Sequence, residues 1–509
     1  MSTAARPTFV VVGAGIAGLS AAWELVRKPG PDGAPSVVLV DAAPRIGGKL
    51  RADEFAGRTV DLAGDAFLAR RPEATELCEE LGITDELVPV GASGASIWAR
   101  GRLRPMPEGS TLGVPTKWWP LARSGVLSPT ESLRVARDLV TPHRGARGIT
   151  GDRAVGEIVG GRLGRPVVDR LVDPLVGGIH AGDVDELSAA ATFPLLLAAD
   201  QQPGSLIRRL RRVPNRSTSF DTSSTDRSAP AFWSLRESTA SLAVRLGDAL
   251  RRRGVSVLTG TEARSLRTGS TSNGRPHWQV ELGDTEGTRN GSSTVEAEGV
   301  VLAVGAPEAA RLLRPLAPGG ASALAEIEYS SVAVVTLALP EGAIGRPLRG
   351  TGFLVPRAST LAGRRPLITG CTYLARKWPH LARPGDELVR VSVGRWGDER
   401  YRDLDDEELA AAVFDDLAAI LDVHDSPTER RVTRFDQAFP QYRVGHLIRV
   451  AAIEKAVADL GGIAVAGAAY RGVGIPACIA SGRTAARALT KAVSGAGQGG
   501  PRAEGNGAR

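Results

Sequence analysis

A run of apolar residues followed by closely spaced glycines lies near the start of the chain and limits its fold more than any other feature. Phe9–Val12 is continuously apolar and rich in β-branched residues, and glycine then occurs at positions 13, 15 and 18. Leu19–Arg27 has the composition of a helix, and Val37–Val40 is a second apolar strand. Continuously apolar strands joined through a helix are typical of parallel sheets covered on both faces. The segment therefore predicts a βαβ unit within an α/β domain.

The spacing of these glycines, GxGxxG, indicates a binding site for a dinucleotide. Gly13 permits the tight turn, Gly15 lets a diphosphate approach the backbone, and Gly18 lets the helix pack closely on the strand. The start of the helix then offers backbone N–H groups to the diphosphate. Asp41 follows the second strand, where a carboxylate can hold the ribose hydroxyls. A glycine-rich turn that serves only the fold is the alternative.

The segment after the second strand favours one dinucleotide over another. Arg45, Gly47 and Gly48 provide a cation and a second glycine turn beside the diphosphate. The stretch "AAPRIGGKLRADEFAGRTVDLAGDAF" resembles the amine-oxidase-like group of flavoproteins rather than nicotinamide dehydrogenases, and this resemblance implies FAD. For Arg45 the alternative is an ordinary surface charge, and Gly64 can equally mark the end of a strand.

Two later segments complete the predicted cofactor site. "VSVLTGTEARSL" offers Ala263 as a backbone contact for the adenine, although a merely structural strand is equally consistent with it. "AAYRGVGIPACIASGR" is a glycine-rich turn that opens a helix, and its N–H groups can face the pyrimidine edge of the flavin. The residues predicted to bind the cofactor are Gly13, Gly15, Ile16, Ala17, Gly18, Asp41, Ala42, Arg45, Gly47, Gly48, Lys49, Gly64, Ala263, Gly467, Gly472, Val473, Gly474 and Ile475.

Several blocks along the chain, in the same order, resemble one enzyme family. They are "GDAFLARRPEA", "GGIHAGDVDELSAAATFP", "CTYLARKWPH", "PQYRVGH" and the late glycine turn. Together they look like the FAD-dependent protoporphyrinogen and coproporphyrinogen oxidases of haem synthesis, over nearly the whole chain. The stretch "SLREST" departs from the glycine pair that is usual in this family, so the local helix start is in doubt.

The resemblance implies an α/β fold with a discontinuous organisation. A Rossmann-type FAD-binding domain, like that of glutathione reductase and p-hydroxybenzoate hydroxylase, is interleaved with a mixed-sheet substrate domain and a helical lobe. Strands of the first sheet are expected near residues 9, 37, 255, 299 and 462, and "VAVVTLAL" begins a second sheet. The predicted division is 1–66, 235–308 and 450–492 for FAD; 67–90, 201–234 and 309–449 for substrate; 91–200 for a helical, membrane-facing lobe; and 493–509 for a disordered tail.

The activity that the resemblance implies is oxidation of coproporphyrinogen III to coproporphyrin III, with most likeness to the bacterial enzymes. Three hydride transfers to FAD and reoxidation by O2 would release H2O2. Oxidation of protoporphyrinogen IX is one alternative, and another flavin amine oxidase or desaturase is a second. A flavin or tetrapyrrole carrier without activity is a third. The residues show no convincing general base, so the catalytic residues stay unassigned.

Four residues are predicted to bind the substrate, a macrocycle that carries propionates. Arg70 and Arg71 are candidates for bidentate contacts with carboxylates, although solvated charges at a helix start would look the same. Arg471 can contact either FAD or substrate, and Tyr470 can line the cavity or simply pack.

Charge and residue counts exclude several other functions. The net charge is +7, but the basic residues are dispersed and no nucleic-acid-binding module accompanies them, so no nucleic-acid partner is expected. Three separated cysteines predict a reducing compartment, the cytoplasm, and six scattered histidines predict no metal site. "VPTKWWPLARSG" (114–125) has an amphipathic edge that can touch a membrane peripherally, or cover a core. Transfer of the product to ferrochelatase is a further expected partnership.

Overall fold

The computed structural model describes residues 6–28, 34–141, 151–212, 230–270, 276–285 and 292–496. The strands are β1 (Thr8–Val12), β2 (Ser36–Val40), β3 (Ala52–Phe55), β4 (Arg58–Asp61), β5 (Phe67–Leu68), β6 (Leu87–Pro89), β7 (Ser96–Ala99), β8 (Arg102–Pro105), β9 (Ser110–Thr111), β10 (Val114–Pro115), β11 (Phe232–Leu235), β12 (Ser256–Leu258), β13 (Thr261–Ser270), β14 (Pro276–Asp284), β15 (Ser293–Ala297), β16 (Gly299–Leu302), β17 (Tyr329–Pro340), β18 (Gly352–Leu354), β19 (Ile368–Tyr373), β20 (Asp386–Val393), β21 (Glu429–Pro440) and β22 (Ile463–Val465).

The helices of the described residues lie between these strands, singly or in succession. They are α1 (Ile16–Val26), α2 (Pro72–Leu81), α3 (Trp118–Ser124), α4 (Pro129–Val140), α5 (Val155–Leu163), α6 (Arg165–Val167), α7 (Gly178–His180), α8 (Ala189–Thr192), α9 (Pro194–Asp200), α10 (Leu206–Arg212), α11 (Ser241–Arg252), α12 (Ala306–Leu313), α13 (Pro318–Ala325), α14 (Leu374–Lys377), α15 (Asp406–Leu421), α16 (His446–Leu460) and α17 (Ile475–Ala496). None of these described helices is long and apolar enough to cross a membrane.

The chain divides into two compact units, each built from separate stretches of sequence. The first unit comprises Met1–Gly48, Leu242–Glu326 and Arg449–Arg509, and the second comprises Lys49–Ser241 and Ile327–Ile448. Each unit therefore has to be assembled from segments that are distant in the chain. The division predicted from sequence into FAD-binding, substrate-binding and helical parts stays a prediction.

The first unit is built on a five-stranded parallel sheet in the order β12-β2-β1-β16-β22. β1 lies at its centre and pairs in register with β2 and β16. Its apolar residues are almost fully buried, because helices cover the sheet and no polar face is needed. The five strands expected near residues 9, 37, 255, 299 and 462 are confirmed. A smaller antiparallel sheet, β13-β14-β15, belongs to the same unit.

The second unit is built on a seven-stranded mixed sheet in the order β21-β17-β20-β19-β18-β7-β8. Its core lies between the apolar faces of the central strands and the buried face of α15. The second sheet predicted from alternating residues is confirmed for β17 to β20. β7 and β8 also belong to it, although they lie inside the 91–200 range predicted as a helical lobe. Short strands such as these carry too few residues for a clear alternating pattern.

Helices α3 to α9 lie within residues 91–200, the range that the sequence predicts as a helical lobe, and α10 follows outside it. Between α6 and α7, residues Val168–Gly177 form a π-helical turn that contains Pro174. Proline has no N–H to donate, so it favours such an irregular helix. The serine- and threonine-rich stretch "NRSTSFDTSSTDRSAP" (215–230), whose composition predicts a loop, lies almost wholly outside the described residues. The tail predicted for 493–509 was wrong for its first residues, because α17 runs to Ala496. Residues 497–509 lie outside the described residues.

Candidate cofactor and substrate site

The glycines at 13 and 18 are required by the backbone geometry of the turn after β1. Gly13 has φ +102°, and a Cβ there would lie 2.5 Å from the carbonyl oxygen of Ala303. A Cβ on Gly18 would lie 1.8 Å from the carbonyl oxygen of Gly13. A Cβ on Gly15 would meet no atom within 4 Å, so the turn is open on this side. Gly13 and Gly18 are therefore required by the local backbone, and Gly15 leaves open space beside the turn. That this space receives a diphosphate stays a prediction.

The first turn of α1 offers backbone N–H groups at this open side. The helix begins at Ile16, and its N-cap residue Gly15 makes no side-chain capping bond. No acidic residue lies in the first turn, and Ile16 and Ala17 are buried there. The positive end of the helix dipole and these amides favour an anion. The geometry therefore fits the diphosphate of a dinucleotide.

Asp41 is fixed by the backbone beside this turn. Its Oδ2 accepts the N–H of Ala14 at 2.6 Å, and its Oδ1 accepts the N–H of Ala43 at 2.8 Å. Each carboxylate oxygen retains a further lone pair, and the residue is only partly buried. Asp41 thus links the end of β2 to the turn and can still accept a hydroxyl. Ala42 follows it and is exposed.

The second glycine turn packs directly against the first. Gly47 donates its N–H to the carbonyl of Ala14 at 2.8 Å, and a Cβ on Gly48 would lie 3.1 Å from Cα of Gly15. Arg45 closes the turn by donating to the carbonyls of Ile46 and Gly48 at 3.1 and 2.7 Å. The predicted cation therefore stands at this turn with its guanidinium exposed.

The late glycine turn belongs to the same unit as the first one and opens α17. Gly472 and Gly474 have φ +155° and +95°, and α17 begins at Ile475 with Val473 partly exposed beside it. Gly467, at the end of β22, has φ +122°. Positive φ angles at these positions explain the glycines, because other residues would be strained there.

Helices α1 and α17 pack backbone to backbone at their N-terminal halves. A Cβ on Gly482 would lie 2.0 Å from the carbonyl oxygen of Ala17 and 3.0 Å from the amide nitrogen of Ala21. Ser481, the preceding residue, accepts the N–H of Gly467 at 3.0 Å. Sequence reasoning did not single out Ser481 or Gly482, although the small residues of "ACIASGR" are the signal of a close helix contact.

Ala263 lies in β13, opposite Leu282, with a bulge just after it. It is buried, and its carbonyl accepts a hydrogen bond from Arg311 at 2.9 Å. Its carbonyl is therefore already engaged.

Tyr470 is buried, whereas Arg471 beside it is exposed. Arg471 forms a two-bond ion pair with Glu454 of α16, with Nε 2.7 Å from Oε1. These hydrogen bonds raise the pKa of Arg471. A ligand would have to displace Glu454 before Arg471 could bind it through the same atoms.

The remaining predicted residues lie in the second unit. Lys49 donates from Nζ to the carbonyl of Gln437 at 3.0 Å and to that of Ala438. Arg71 precedes α2 and pairs with Glu73 at 2.7 Å, with 47% of its side chain exposed. Burial and the neighbouring charge of Arg71 lower the pKa of Arg70.

The second unit also contains a buried cluster of charges that sequence reasoning did not find. Asp65 accepts hydrogen bonds from Lys377 and Trp378, both at 2.9 Å, and pairs with Arg390 at 3.1 Å. Burial acts to raise the pKa of Asp65, but the attraction of Arg390 and Lys377 outweighs it and lowers the pKa well below the usual range.

Asp61, at the end of β4, faces the same cluster. It accepts the amide N–H of Thr239 at 2.8 Å and that of Ala240 at 3.1 Å. Burial raises the pKa of Asp61 to about 7, and repulsion from Asp65 adds to this effect against the opposing hydrogen bonds. This carboxyl group therefore titrates near neutrality. Gly64 comes between Asp61 and Asp65 in the sequence, and a Cβ built on it would meet no atom within 4 Å.

Comparisons with known proteins point to one family. The family model for flavin containing amine oxidoreductases matches residues 16–490. The chain is 32% identical over 478 residues to coproporphyrinogen III oxidase of Bacillus subtilis (strain 168), which covers 94% of this chain and 96% of that protein. It is 35% identical over 505 residues to coproporphyrinogen III oxidase of Propionibacterium freudenreichii, over 94% of this chain and 89% of the relative. The solved structure of an Exiguobacterium sp. 255-15 protein assigned to the protoporphyrinogen oxidases superposes with a TM-score of 0.79 at 30% identity, over 95% and 98% of the two chains.

Proposed function

Because the chain belongs to the family of flavin-containing amine oxidoreductases, we propose that it oxidises coproporphyrinogen III to coproporphyrin III. It is an FAD-dependent oxidoreductase with the α/β fold of that family. The observation that carries the proposal is the match, over nearly the full length of both chains, with bacterial proteins that are named for this reaction. The two glycine turns of the first unit, at Gly13–Gly18 and at Gly472 and Gly474, support the proposal. Their geometry suits a dinucleotide that is held at its diphosphate and at its flavin.

The proposed reaction removes six electrons and six protons from the macrocycle. Coproporphyrinogen III and three O2 give coproporphyrin III and three H2O2, in three steps of two electrons each. When bound, FAD supplies the acceptor for each hydride and returns the electrons to O2.

The residues of the first unit bind and orient the cofactor in this proposal. Gly15 and the first turn of α1 face the diphosphate, and Asp41 faces the ribose. The N-terminus of α17, opened by Gly472 and Gly474, faces the electron-rich edge of the flavin. We assign no general base. Rate enhancement then depends on holding the reacting atoms at about 3–3.5 Å.

Arg70, Arg71, Tyr470 and Arg471 are the residues that we propose for the substrate. Arg70 supports this assignment because a half-buried cation next to another cation is stabilised by an anion. Arg71→Gln should raise KM for coproporphyrinogen III more than it slows flavin reduction at saturating substrate. An unchanged KM would remove Arg71 from the site. Residues 67–90, 201–234 and 309–449 are the proposed substrate-binding part, and 1–66, 235–308 and 450–492 the FAD-binding part.

Protoporphyrinogen IX is the alternative substrate, because the Exiguobacterium relative is assigned to the protoporphyrinogen oxidases. The excess of basic residues favours the porphyrinogen with four propionates. Initial rates with both porphyrinogens, and with simple amines, separate the candidates. Peroxide formed from amines alone would refute the proposal in favour of another flavin amine oxidase.

We further propose a cytoplasmic enzyme whose surface at α3 and α4 touches anionic membrane lipid. Trp119 is 56% exposed, and the guanidinium of Arg123 lies 5.0 Å from its ring. Leu133 and Val140, on one face of α4, are 60% and 79% exposed beside Arg137. Exposed apolar residues next to cations suit the boundary of an anionic bilayer.

Vesicles of phosphatidylglycerol and phosphatidylcholine test this contact by co-sedimentation. The wild-type protein should bind the anionic vesicles, and Trp119→Ala should bind them less. Equal binding of the wild-type protein to anionic and to neutral vesicles would contradict the proposal. Transfer of the product to ferrochelatase is a further proposed partnership. Its support is chemical, since a porphyrin has to be formed before a metal can be inserted into it.

A further inference from the structure

Arg311 on α12 holds three successive residues of β13 within the first unit. Its Nη2 donates to the carbonyl of Ala263 and to the carboxylate of Glu262, both at 2.9 Å, and its Nη1 donates to the carbonyl of Arg264 at 2.7 Å. Its Nε donates to Glu308, one turn earlier on the same helix, at 2.9 Å. A guanidinium has five N–H groups, and three of those of Arg311 therefore tie β13 to α12.

The stretch that Arg311 holds is irregular and lies at the edge of its sheet. Ala263 is opposite Leu282 of β14, and the next residue that is matched to β14 is Ser265. Arg264 is therefore the extra residue of a bulge, where the ladder of hydrogen bonds is disrupted. β13 is an edge strand in the order β13-β14-β15, so no neighbouring strand fixes its other side. The contacts of Arg311 thus set the direction of the backbone here.

The side of β13 that faces away from β14 is connected to the first glycine turn through Asp41. Thr261, at the start of β13, donates its N–H to the carbonyl of Asp41 at 2.9 Å. The carboxylate of Asp41 in turn accepts the N–H of Ala14. Backbone groups of a strand alternate between its two sides, so those of Ala263 face the same side as those of Thr261. The carbonyl of Ala263 has this direction, because it meets Arg311.

We propose that Arg311 positions Ala263 so that the N–H of Ala263 donates to the adenine of FAD. The inference rests on the cofactor site of the function proposed above. Asp41 faces a ribose in that site, and the adenine joined to this ribose then lies beside the edge of β13. Ring nitrogens of adenine accept hydrogen bonds. Because the carbonyl of Ala263 is bonded to Arg311, the N–H is the backbone group that suits them.

Arg311 is a positioning residue in this proposal, and the exposure of its ion pairs separates that role from a purely structural one. The side chains of Arg311, Glu262 and Glu308 are 41%, 42% and 57% exposed. Ion pairs this exposed contribute little to stability. Loss of Arg311 should therefore leave the thermal midpoint nearly unchanged, whereas a displaced adenine contact should weaken the binding of FAD.

Arg311→Met tests the proposal, because it removes every donor and keeps the apolar stem of the side chain. Arg311→Lys keeps the charge but places its donors on a single nitrogen, so it should retain part of the function. Arg314→Met is the matched control, since Arg314 is exposed directly after the last residue of the same helix.

The measurement compares the Kd of FAD with that of FMN, which lacks the AMP half and so cannot reach Ala263. The FAD-loaded full chain is dialysed exhaustively against graded FAD or graded FMN, and the bound flavin is identified by chromatography and quantified by absorbance. Arg311→Met should raise the Kd of FAD by about tenfold, because one hydrogen bond is lost. The Kd of FMN should stay within about twofold of the wild type. Arg311→Lys should fall between Arg311→Met and the wild type, and Arg314→Met should change neither Kd.

Two results would overturn the inference while leaving the proposed function intact. One is a Kd of FAD that Arg311→Met does not change. The other is an equal rise in the Kd of FAD and of FMN, which would make Arg311 a structural residue. Thermal midpoints identify a variant that folds poorly, and Arg311→Lys keeps the test valid if Arg311→Met does so. A wild-type enzyme that binds FAD but oxidises neither porphyrinogen would instead refute the proposed function.

Discussion

Replacing Asp65 by asparagine should destabilise the second unit far more than the loss of an exposed ion pair. The carboxylate lies 2.9 Å from Nζ of Lys377 and 3.1 Å from a terminal nitrogen of Arg390. Its side chain is 8% exposed, and those of the two cations are 17% and 9% exposed. Asparagine keeps the shape and can still accept the N–H of Trp378, but it leaves a buried arginine and a mostly buried lysine without their counter-ion.

The expected magnitude follows from this burial. Removing one partner of a buried ion pair costs about 3–5 kcal/mol, whereas an exposed pair contributes about 0.2–1 kcal/mol. Asp53→Asn is the matched control, because Asp53 pairs with Arg431 at 2.6 Å with 60% of its side chain exposed. Both aspartates belong to the second unit, so both variants report on the same part of the molecule.

Urea unfolding of the FAD-loaded protein, followed by tryptophan fluorescence, measures the difference. The free energy of unfolding should fall at least three times as much for Asp65→Asn as for Asp53→Asn. Adding Lys377→Met to Asp65→Asn should recover part of the loss, because one unpaired cation is then removed. An effect of Asp65→Asn no larger than that of the control would refute the reasoning from burial.

Three further predictions concern the cofactor turn, the pH dependence of stability and the substrate. Gly18→Ala should weaken FAD binding at least about tenfold, because its Cβ would overlap a carbonyl oxygen of the turn. Flavin content and titration with FAD measure this loss. The control, Gly161→Ala, has open space at its Cβ and should leave FAD binding unchanged. Between about pH 4 and 7 the folded protein keeps the proton of Asp61 that the unfolded chain has lost. The free energy of unfolding should therefore fall as the pH rises through this window. In Asp61→Asn the urea midpoint should depend less on pH, and a pH dependence equal to that of the wild type would exclude Asp61 as the cause. Arg471→Gln should raise KM less than Arg71→Gln, because its guanidinium is already paired; the reverse order would contradict this.

Local patterns were sufficient to predict the parts of the fold that depend on neighbouring residues. The strand Phe9–Val12 could be recognised because a buried parallel strand is continuously apolar. The glycines at 13 and 18 could be interpreted because each role depends on a turn of only a few residues. The late turn at Gly472 and Gly474 was likewise visible as a glycine-rich start of a helix.

Contacts between distant segments could not be predicted in the same way. Asp65 and Arg390 each look unremarkable in sequence, and only the pairing of their strands and loops brings them together. The engagement of Arg471 by Glu454 likewise depends on how α16 packs. The short strands β7 and β8 join the large sheet through a partner, β18, far along the chain.

Neighbouring residues in the chain are enough to specify the chemistry of the first unit. A backbone that must approach a diphosphate tolerates only glycine, and the conformational reason acts within the turn itself. Only the folded arrangement fixes which charges are buried and which cations are already paired. Burial and electrostatic pairing depend on atoms a few ångströms apart in space, whatever their separation in the chain, and Asp65 and Arg471 acquire their properties only there.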